Sequence, residues 1–104
     1  MTIHLIYITA ANKAEAVTIA TTLVAEKLAA CANILDGIHS IYWWNHEVEE
    51  SQEAVIIAKT TEAHLTKLTE RVKALHSYSC PCIVAMPITQ GNSAFLEWVS
   101  ETLK

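Results

Sequence analysis

The stretch that decides the fold is residues 31–59, which read CANILDGIHSIYWWNHEVEESQEAVIIAK. β-branched and aromatic residues dominate its first half, where the Asp36-Gly37 pair marks a bulge or turn that needs the dihedral freedom of glycine. Asn45-His46 then reverses the chain, and the acidic stretch Glu47–Glu53 leads back into the apolar run Ala54–Lys59. The pattern predicts a long β-hairpin that is interrupted in its first strand and acidic at its end.

The segments on either side of this hairpin predict the remaining elements. Ile3–Ile8 alternates with period two and is apolar on both faces, which is typical of a central strand. Apolar residues at helical spacing predict a helix over Lys13–Leu28, capped by Asn12. Three further elements follow the hairpin: a helix capped by Thr60 or Thr61 that ends near His76, a strand over Ile83–Ile88, and a short terminal helix capped by Asn92 or Ser93.

This order, β-α-β-β-α-β plus a final helix, predicts the ferredoxin-like α+β arrangement, an antiparallel sheet with two helices on one face. The 104 residues suit one domain over 1–104, and 52% of them are hydrophobic. The other sheet face is expected to be bare, so that Val55–Ala58 exposes apolar side chains. Because one small core is unsuited to burying both Trp43 and Trp44, the sequence predicts a homo-oligomer.

Charge and composition exclude several classes of function. The formal net charge is −4 and the seven basic residues are scattered, which disfavours a nucleic-acid surface. The charge-free stretch Ala74–Leu96 contains two prolines and a glycine, so a membrane span is not expected. Residues 1–10 lack a secretory pattern, and the predicted location is the cytoplasm. Two glycines and a sole aspartate offer neither a phosphate-binding loop nor a local catalytic triad.

The candidate metal ligands are His76, Cys80 and Cys82, which lie within seven residues where the second helix meets the fourth strand. Thiolate and imidazole together suit copper(I) or zinc. In an extended segment the two cysteines project to the same side across Pro81, so both sulfurs can address one ion. The alternative is that these cysteines are two small buried hydrophobic residues. Cys31, between two alanines, is interpreted as core packing.

The acidic stretch offers a second, different site. Its carboxylates are able to hold hard cations, but a solvated hairpin end that discourages edge pairing is the favoured interpretation. The four residues concerned are Glu47, Glu49, Glu50 and Glu53.

Five blocks of sequence resemble the CutA family, the divalent-cation-tolerance proteins. The resemblance extends over nearly the whole chain and implies a ferredoxin-like protomer in a tight trimer, similar to the PII signalling proteins. It also implies metal binding, with copper or another divalent or soft ion, and no catalytic activity. The blocks are Glu26–Ile34, Ser40–Trp44, Ile57–Thr61, His76–Tyr78 with Pro81, and Ala85–Ile88.

The copper ligands of that family match this chain only in part. The resemblance implies a cysteine at the end of the first strand and a His-His pair before Pro-Tyr, whereas this chain has Ile8, Leu75 and His76 there. The hypothesis from sequence is that Cys80 and Cys82 replace the missing ligands around His76.

Three functions remain as interpretations. The first is a trimeric metal-binding protein in divalent-cation or copper tolerance or homeostasis. The second is a PII-like trimeric scaffold that binds a small ligand or a protein in the clefts between subunits, with Trp44 and Tyr78 as pocket walls or as packing residues. The third, an enzyme that uses His76 or Glu47, is not expected, because no pair of base and nucleophile can be placed.

Overall fold

The computed structural model describes residues 2–104 and contains one four-stranded antiparallel sheet with the strand order β2-β3-β1-β4. This arrangement confirms the predicted ferredoxin-like α+β fold, and β1 is a central strand as expected. The elements are β1 (Ile3–Ala10), α1 (Lys13–Ala25), β2 (Cys31–Trp44), β3 (Glu47–Thr61), a short 3-10 turn (Glu62–His64), α2 (Leu65–Leu75), β4 (Ile83–Pro87) and α3 (Ser93–Thr102).

The main core lies between one face of the sheet and the helices α1 and α2. Residues on alternate positions of a strand share a face, and those of β1 and β3 that face the helices are almost completely buried. Together with the buried residues of α1 and α2 they form one apolar cluster, which is the principal source of hydrophobic stabilisation. The strand contributions are Ile6, Ile8 and Ala10 of β1 and Ala54, Ile56 and Ala58 of β3.

Helix α1 ends at Ala25, three residues before the predicted end at Leu28. Lys27 has a φ of 56°, in the left-handed region. Its N–H donates to the carbonyl of Val24, and the N–H of Leu28 donates to the carbonyl of Leu23. This pair of hydrogen bonds is a Schellman motif, which satisfies the last carbonyls and turns the chain out of the helix. The apolar spacing continues through Leu28 because that residue packs on the same core after the helix has ended.

The expected interruption of β2 is a β-bulge. Leu35 pairs with Val55, but the next paired residue is Ile38, opposite Glu53, so two residues of β2 lie opposite one of β3. Gly37 supplies the required positive φ of 67°. Because side chains alternate along a strand, the extra residue moves the even-numbered residues after the bulge onto the face that carries Leu35 before it.

The hairpin remains paired up to its turn. Trp44 is opposite Glu47, and both turn residues, Asn45 and His46, have positive φ angles, as type I′ turns require. The acidic stretch is therefore part of strand β3 and not a loop end ahead of it. The hairpin beyond the bulge, residues 38–53, is called the hairpin arm.

The second face of the sheet is only partly bare. Helix α3 packs over one end of it, where Val99 and Leu103 form a small buried cluster with Ile3. The expected exposure of Val55–Ala58 is wrong, because Val55 is 1% exposed and only Ile57 of that run is half-buried. A central strand is shielded by its neighbours on both sides. The exposed apolar residues of this face lie instead on the outer strands, at Leu35, Val84 and Met86.

Both tryptophans of the hairpin arm are exposed, as the sequence argument about core capacity requires. Trp43 and Trp44 are adjacent on a strand and therefore point to opposite faces. Within residues 2–104, every helix is too short or too polar to cross a lipid bilayer.

Candidate functional site

The three predicted ligands lie in the segment between α2 and β4, residues 76–82, which is called the linking segment. It runs past the carboxyl end of β1 and faces the hairpin arm across an open cleft of about 850 Å³. The bulge places the even-numbered side chains of β2 beyond it on this side of the sheet, together with the odd-numbered side chains of β3 that pair with them. The cleft is lined by Tyr7 and Thr9 of β1 and Ala11 after it, by residues 38–42, Trp44 and 51–53 of the arm, and by Tyr78, Ser79, Cys80 and Cys82.

His76 anchors the linking segment to the fold. Its imidazole is completely buried, and Nε2 donates a hydrogen bond to the carbonyl oxygen of Thr9 at 2.7 Å. The N–H of Tyr78 donates to Nδ1 at 3.0 Å. A ring that donates through Nε2 and accepts at Nδ1 is the Nε2–H tautomer. Both nitrogens are therefore engaged with the backbone, and neither presents a lone pair to the cleft.

Glu15 holds the same segment from helix α1. One carboxylate oxygen accepts a hydrogen bond from the N–H of Ala11, and the other accepts from the N–H of Ser77, both at 2.9 Å. Burial raises the pKa of this carboxyl, but the hydrogen bonds from Ala11 and Ser77 and the proximity of His76 outweigh that effect and hold the pKa below its usual value. The carboxylate thus ties the start of α1 to the linking segment.

Cys80 and Cys82 present their thiols to solvent, at the edge of the same cleft. The alternative that they are buried hydrophobic residues is therefore wrong. Both precede β4, and Pro81 between them has no N–H to donate. The N–H of Thr9 donates to the carbonyl of Cys82 at 3.4 Å, which continues the pairing of β1 with β4 as far as Cys82. Cys31 is half-buried at the start of β2 and does not line the cleft.

The structure brings the two cysteines to one cleft but leaves His76 beneath it. Within the described residues 2–104, no group of three or more His, Cys, Asp or Glu side chains is placed to hold a metal ion. Ile8 is completely buried in the core and Leu75 packs against that core, so both residues at the implied ligand positions serve hydrophobic packing.

Sequence reasoning missed the interaction that closes one end of the cleft. The hydroxyl of Tyr78 donates to Oε2 of Glu53 at 2.7 Å, and Glu53 is only 9% exposed. Burial, with the hydrogen bond to the Glu53 carboxylate and its negative charge, raises the pKa of Tyr78 well above its usual value. The sequence signal for this pair was weak, because 25 residues separate the partners.

The four acidic residues of the arm have different environments. Glu50 is exposed and contacts the imidazole of His39, a residue that also lines the cleft, at 2.6 Å. Glu53 is buried, which corrects the expectation that the whole acidic stretch is solvated. Its burial follows from its position opposite Ile38, directly after the bulge, where Tyr78 covers it.

Fold and cleft together define a ferredoxin-like α+β protein whose linking segment carries two exposed thiols. Residues 4–102 match the family model described as CutA1 divalent ion tolerance protein. The chain belongs to this family, which confirms the resemblance seen in the sequence.

The similarity to individual members covers almost the whole chain. The divalent-cation tolerance protein CutA of Thermus thermophilus is 50% identical over 98 residues, which are 94% of this chain and 95% of that protein. The crystal structure of CutA1 from Oryza sativa has a TM-score of 0.96 at 41% identity, covering all of this chain and 95% of that chain. The Archaeoglobus fulgidus structure, called a periplasmic divalent cation tolerance protein CutA, has a TM-score of 0.94 at 43% identity, covering 98% and 99%.

Proposed function

We propose that this protein acts in divalent-cation tolerance by binding a soft metal ion, copper(I) or zinc, through the thiolates of Cys80 and Cys82. The observation that carries the proposal is that both cysteines are exposed at the edge of one cleft, with only Pro81 between them in the sequence. Thiolates select soft and borderline metal ions, and the cysteine thiols must lose their protons to bind such an ion. The names of the relatives describe tolerance of divalent cations and not a catalysed reaction, which supports a function without catalysis.

His76 has a defined place in this proposal. In the folded chain its nitrogens bond to Thr9 and Tyr78, so the histidine fixes the linking segment beneath the thiols. Direct coordination through Nε2 requires the bond to Thr9 to open and the Nε2 proton to move to Nδ1, so the hydrogen bond from the N–H of Tyr78 opens as well. The proposed ligand set is therefore Cys80 and Cys82 first, with His76 joining by this rearrangement.

Assembly into a homotrimer is part of the proposal. Supporting it are the exposed apolar side chains of the hairpin arm and of the outer strands, because groups of exposed apolar residues often mark protein–protein contacts. We place the protein in the cytoplasm, where a reducing environment keeps cysteines as thiols. Neither nucleic acid nor a membrane is among the proposed partners, in keeping with the net charge of −4.

The test is an anaerobic copper(I) competition titration of the reduced protein. We expect one tight site in the wild type, its loss in Cys80→Ser/Cys82→Ser, and an unchanged site in Cys31→Ser, which removes a thiol away from the cleft. His76→Ala is expected to weaken binding less than the double variant does, because the thiolates provide the first two ligands. Unchanged copper affinity in a folded double variant refutes the cysteine site.

A second candidate function is a scaffold that binds a small ligand in the cleft. The observation that favours it is the size of the cleft, about 850 Å³, which is within the range of small-molecule sites. Trp44 and Tyr78, expected from sequence as pocket walls or packing residues, both line it. Binding of a protein partner at the same place is the alternative within this candidate.

A further inference from the structure

Cys80 and Cys82 are exposed cysteines with only Pro81 between them, at the edge of the cleft. When one residue separates two others, their Cα–Cα distance is set by the φ and ψ angles of that middle residue, because the peptide units are planar. The distance between the Cα atoms of the two cysteines therefore depends on the backbone of Pro81 alone.

The proline ring leaves one of these two angles free to change. It fixes φ at about −65°, a value that extended polyproline and helical backbone have in common. With an extended ψ at Pro81 the two cysteine Cα atoms are about 6–7 Å apart, at the upper end of the range for disulfides. With a helical ψ they are about 5.4 Å apart, close to the commonest spacing in disulfides. Rotation about one bond therefore brings the cysteines to a distance at which they can be joined.

Few hydrogen bonds oppose this rotation. Within residues 2–104, the nearest ones on the amino-terminal side of Pro81 are those of Tyr78. On the carboxyl-terminal side, the carbonyl of Cys82 accepts from the N–H of Thr9 at 3.4 Å, which is long for an N–H···O bond. The rotation therefore sacrifices one weak hydrogen bond and leaves the anchored start of the linking segment in place.

We propose that Cys80 and Cys82 form a reversible disulfide across Pro81 by exchange with a small disulfide, glutathione disulfide. One cysteine loses its proton to water and attacks the small disulfide, so that a mixed disulfide forms and one glutathione thiolate leaves. The second cysteine, also deprotonated, attacks the protein sulfur of the mixed disulfide and displaces the other glutathione thiolate. The two protein thiols are oxidised, the small disulfide is reduced to two thiols, and the departing thiolates take up the two protons.

Access and strain make this modification selective and reversible. Both cysteines are exposed to a reactant in solution, whereas Cys31 is half-buried and lies outside the cleft. A disulfide that closes over a single residue forms a small, strained ring, and strained or exposed disulfides are the ones that small thiols readily reduce. The disulfide is therefore expected to form when the glutathione pool is oxidised and to open when that pool is reduced again.

Oxidation has a direct consequence for metal binding. Thiolates are the ligands of a soft metal ion, and in the disulfide neither sulfur is a thiolate. The disulfide therefore blocks the metal site at Cys80 and Cys82. This consequence rests on the proposed function, whereas the formation of the disulfide does not.

The experiment equilibrates the full-length, metal-free protein with glutathione buffers from fully reduced to fully oxidised. After acid quenching and blocking of free thiols, tryptic peptides are analysed by mass spectrometry. The peptide Ala74–Lys104 contains both cysteines and lacks Cys31, because no lysine or arginine interrupts it. We expect this peptide to lose two hydrogens in oxidised buffer, to carry no glutathione at equilibrium, and to regain its reduced mass with dithiothreitol.

Three variants provide the matched comparison. Cys31→Ser is expected to form the disulfide as wild type does, because it keeps both exposed cysteines. Cys80→Ser and Cys82→Ser each remove the second attacking thiol, so the reaction stops at the mixed disulfide and the peptide carries one glutathione. These substitutions lie at exposed positions, where serine leaves the fold intact.

Hydrogen exchange measures the expected backbone rotation. When the carbonyl of Cys82 turns away, the N–H of Thr9 loses its acceptor. Exchange of the Thr9 amide is expected to be about two- to tenfold faster in the oxidised protein than in the reduced protein. The amide of Ile6, in the middle of β1, is expected to exchange at the same rate in both forms. Equal exchange of Thr9 in the two forms overturns the rotation at Pro81.

The outcomes separate this inference from the proposed metal site. Wild-type protein that accumulates bound glutathione or covalent dimers, without the intrachain disulfide, overturns the inference and leaves the metal site standing. If the disulfide forms, a zinc competition titration of oxidised and reduced protein follows. Loss of zinc binding on oxidation supports both proposals, whereas equal zinc binding in the two forms refutes the cysteine metal site and leaves the disulfide standing.

Discussion

The helix-covered part of the sheet and the hairpin arm share two strands but differ in what their side chains contact. Below the bulge, side chains of β3 such as Ile56 are buried against α1 and α2. Beyond it, in the hairpin arm, Ile41 and Trp43 are 67% and 73% exposed. The difference teaches that apolar residues of the first region stabilise the protomer, whereas those of the arm are available for contacts with ligands or with other copies.

The largest expected effect contrasts two isoleucines, one in each region. Ile8→Ala leaves a cavity in the core and is expected to lower the free energy of unfolding by about 2–5 kcal/mol. Ile41→Ala truncates a side chain that is exposed in the protomer, and it is expected to change the protomer's own free energy of unfolding by less than about 0.5 kcal/mol. Urea denaturation measures both. Equal losses of unfolding free energy at Ile8 and Ile41 contradict the contrast between the two regions. They show that the arm is buried to a similar extent in the assembled protein.

An intermediate effect is expected where the two regions meet, at the hydrogen bond from Tyr78 to Glu53. Tyr78→Phe removes the donor to a buried carboxylate and is expected to reduce stability by about 1–3 kcal/mol at neutral pH. Since the pKa of Tyr78 is raised in the folded state, its contribution is fully present below the unfolded pKa of about 10 and is lost as the pH rises toward the folded value.

Denaturation of wild type and Tyr78→Phe across the alkaline range measures this pH dependence. The difference in stability between the two proteins is expected to narrow above about pH 10. A difference that stays constant through that range contradicts the assignment of the raised pKa to this hydrogen bond.

The smallest expected effect on the protomer is at Trp43, on the side of the arm away from the cleft. Trp43→Thr keeps a good strand former at an exposed site, so the protomer's free energy of unfolding is expected to change by less than about 0.5 kcal/mol. Analytical ultracentrifugation measures the effect on assembly. The proposed homotrimer is expected to dissociate at a higher protein concentration in this variant than in wild type. An unaltered association equilibrium removes Trp43 from the interface.

Much of the fold was predictable because its signals are local. The period-two run of β1, the Asn12 cap of α1, the glycine of the bulge and the Asn45-His46 turn each act within a few residues, and each lies where the sequence places it. The end of α1 was misplaced, since the packing of Leu28 on the core extends the apolar pattern beyond the helix.

The candidate site was predictable only in part. The sequence identified His76, Cys80 and Cys82 as candidate ligands, but it left open whether the two cysteines are buried or exposed. It was unable to show that both nitrogens of His76 bond to the backbone, because one partner, Thr9, lies 67 residues away. The pairing of Glu53 with Tyr78 was hidden for the same reason.

By itself, the sequence determined the order of strands and helices, the long hairpin and the membership of the CutA1 family, since these depend on short-range periodicity, turn chemistry and matched blocks of residues. Tertiary structure decided which side chains meet. One extra residue in β2 sets which face Tyr42 and Trp44 occupy, and the packing of the linking segment against β1 sets what His76 and Glu53 contact. Such contacts join residues far apart in the chain, so their geometry exists only once the sheet has formed.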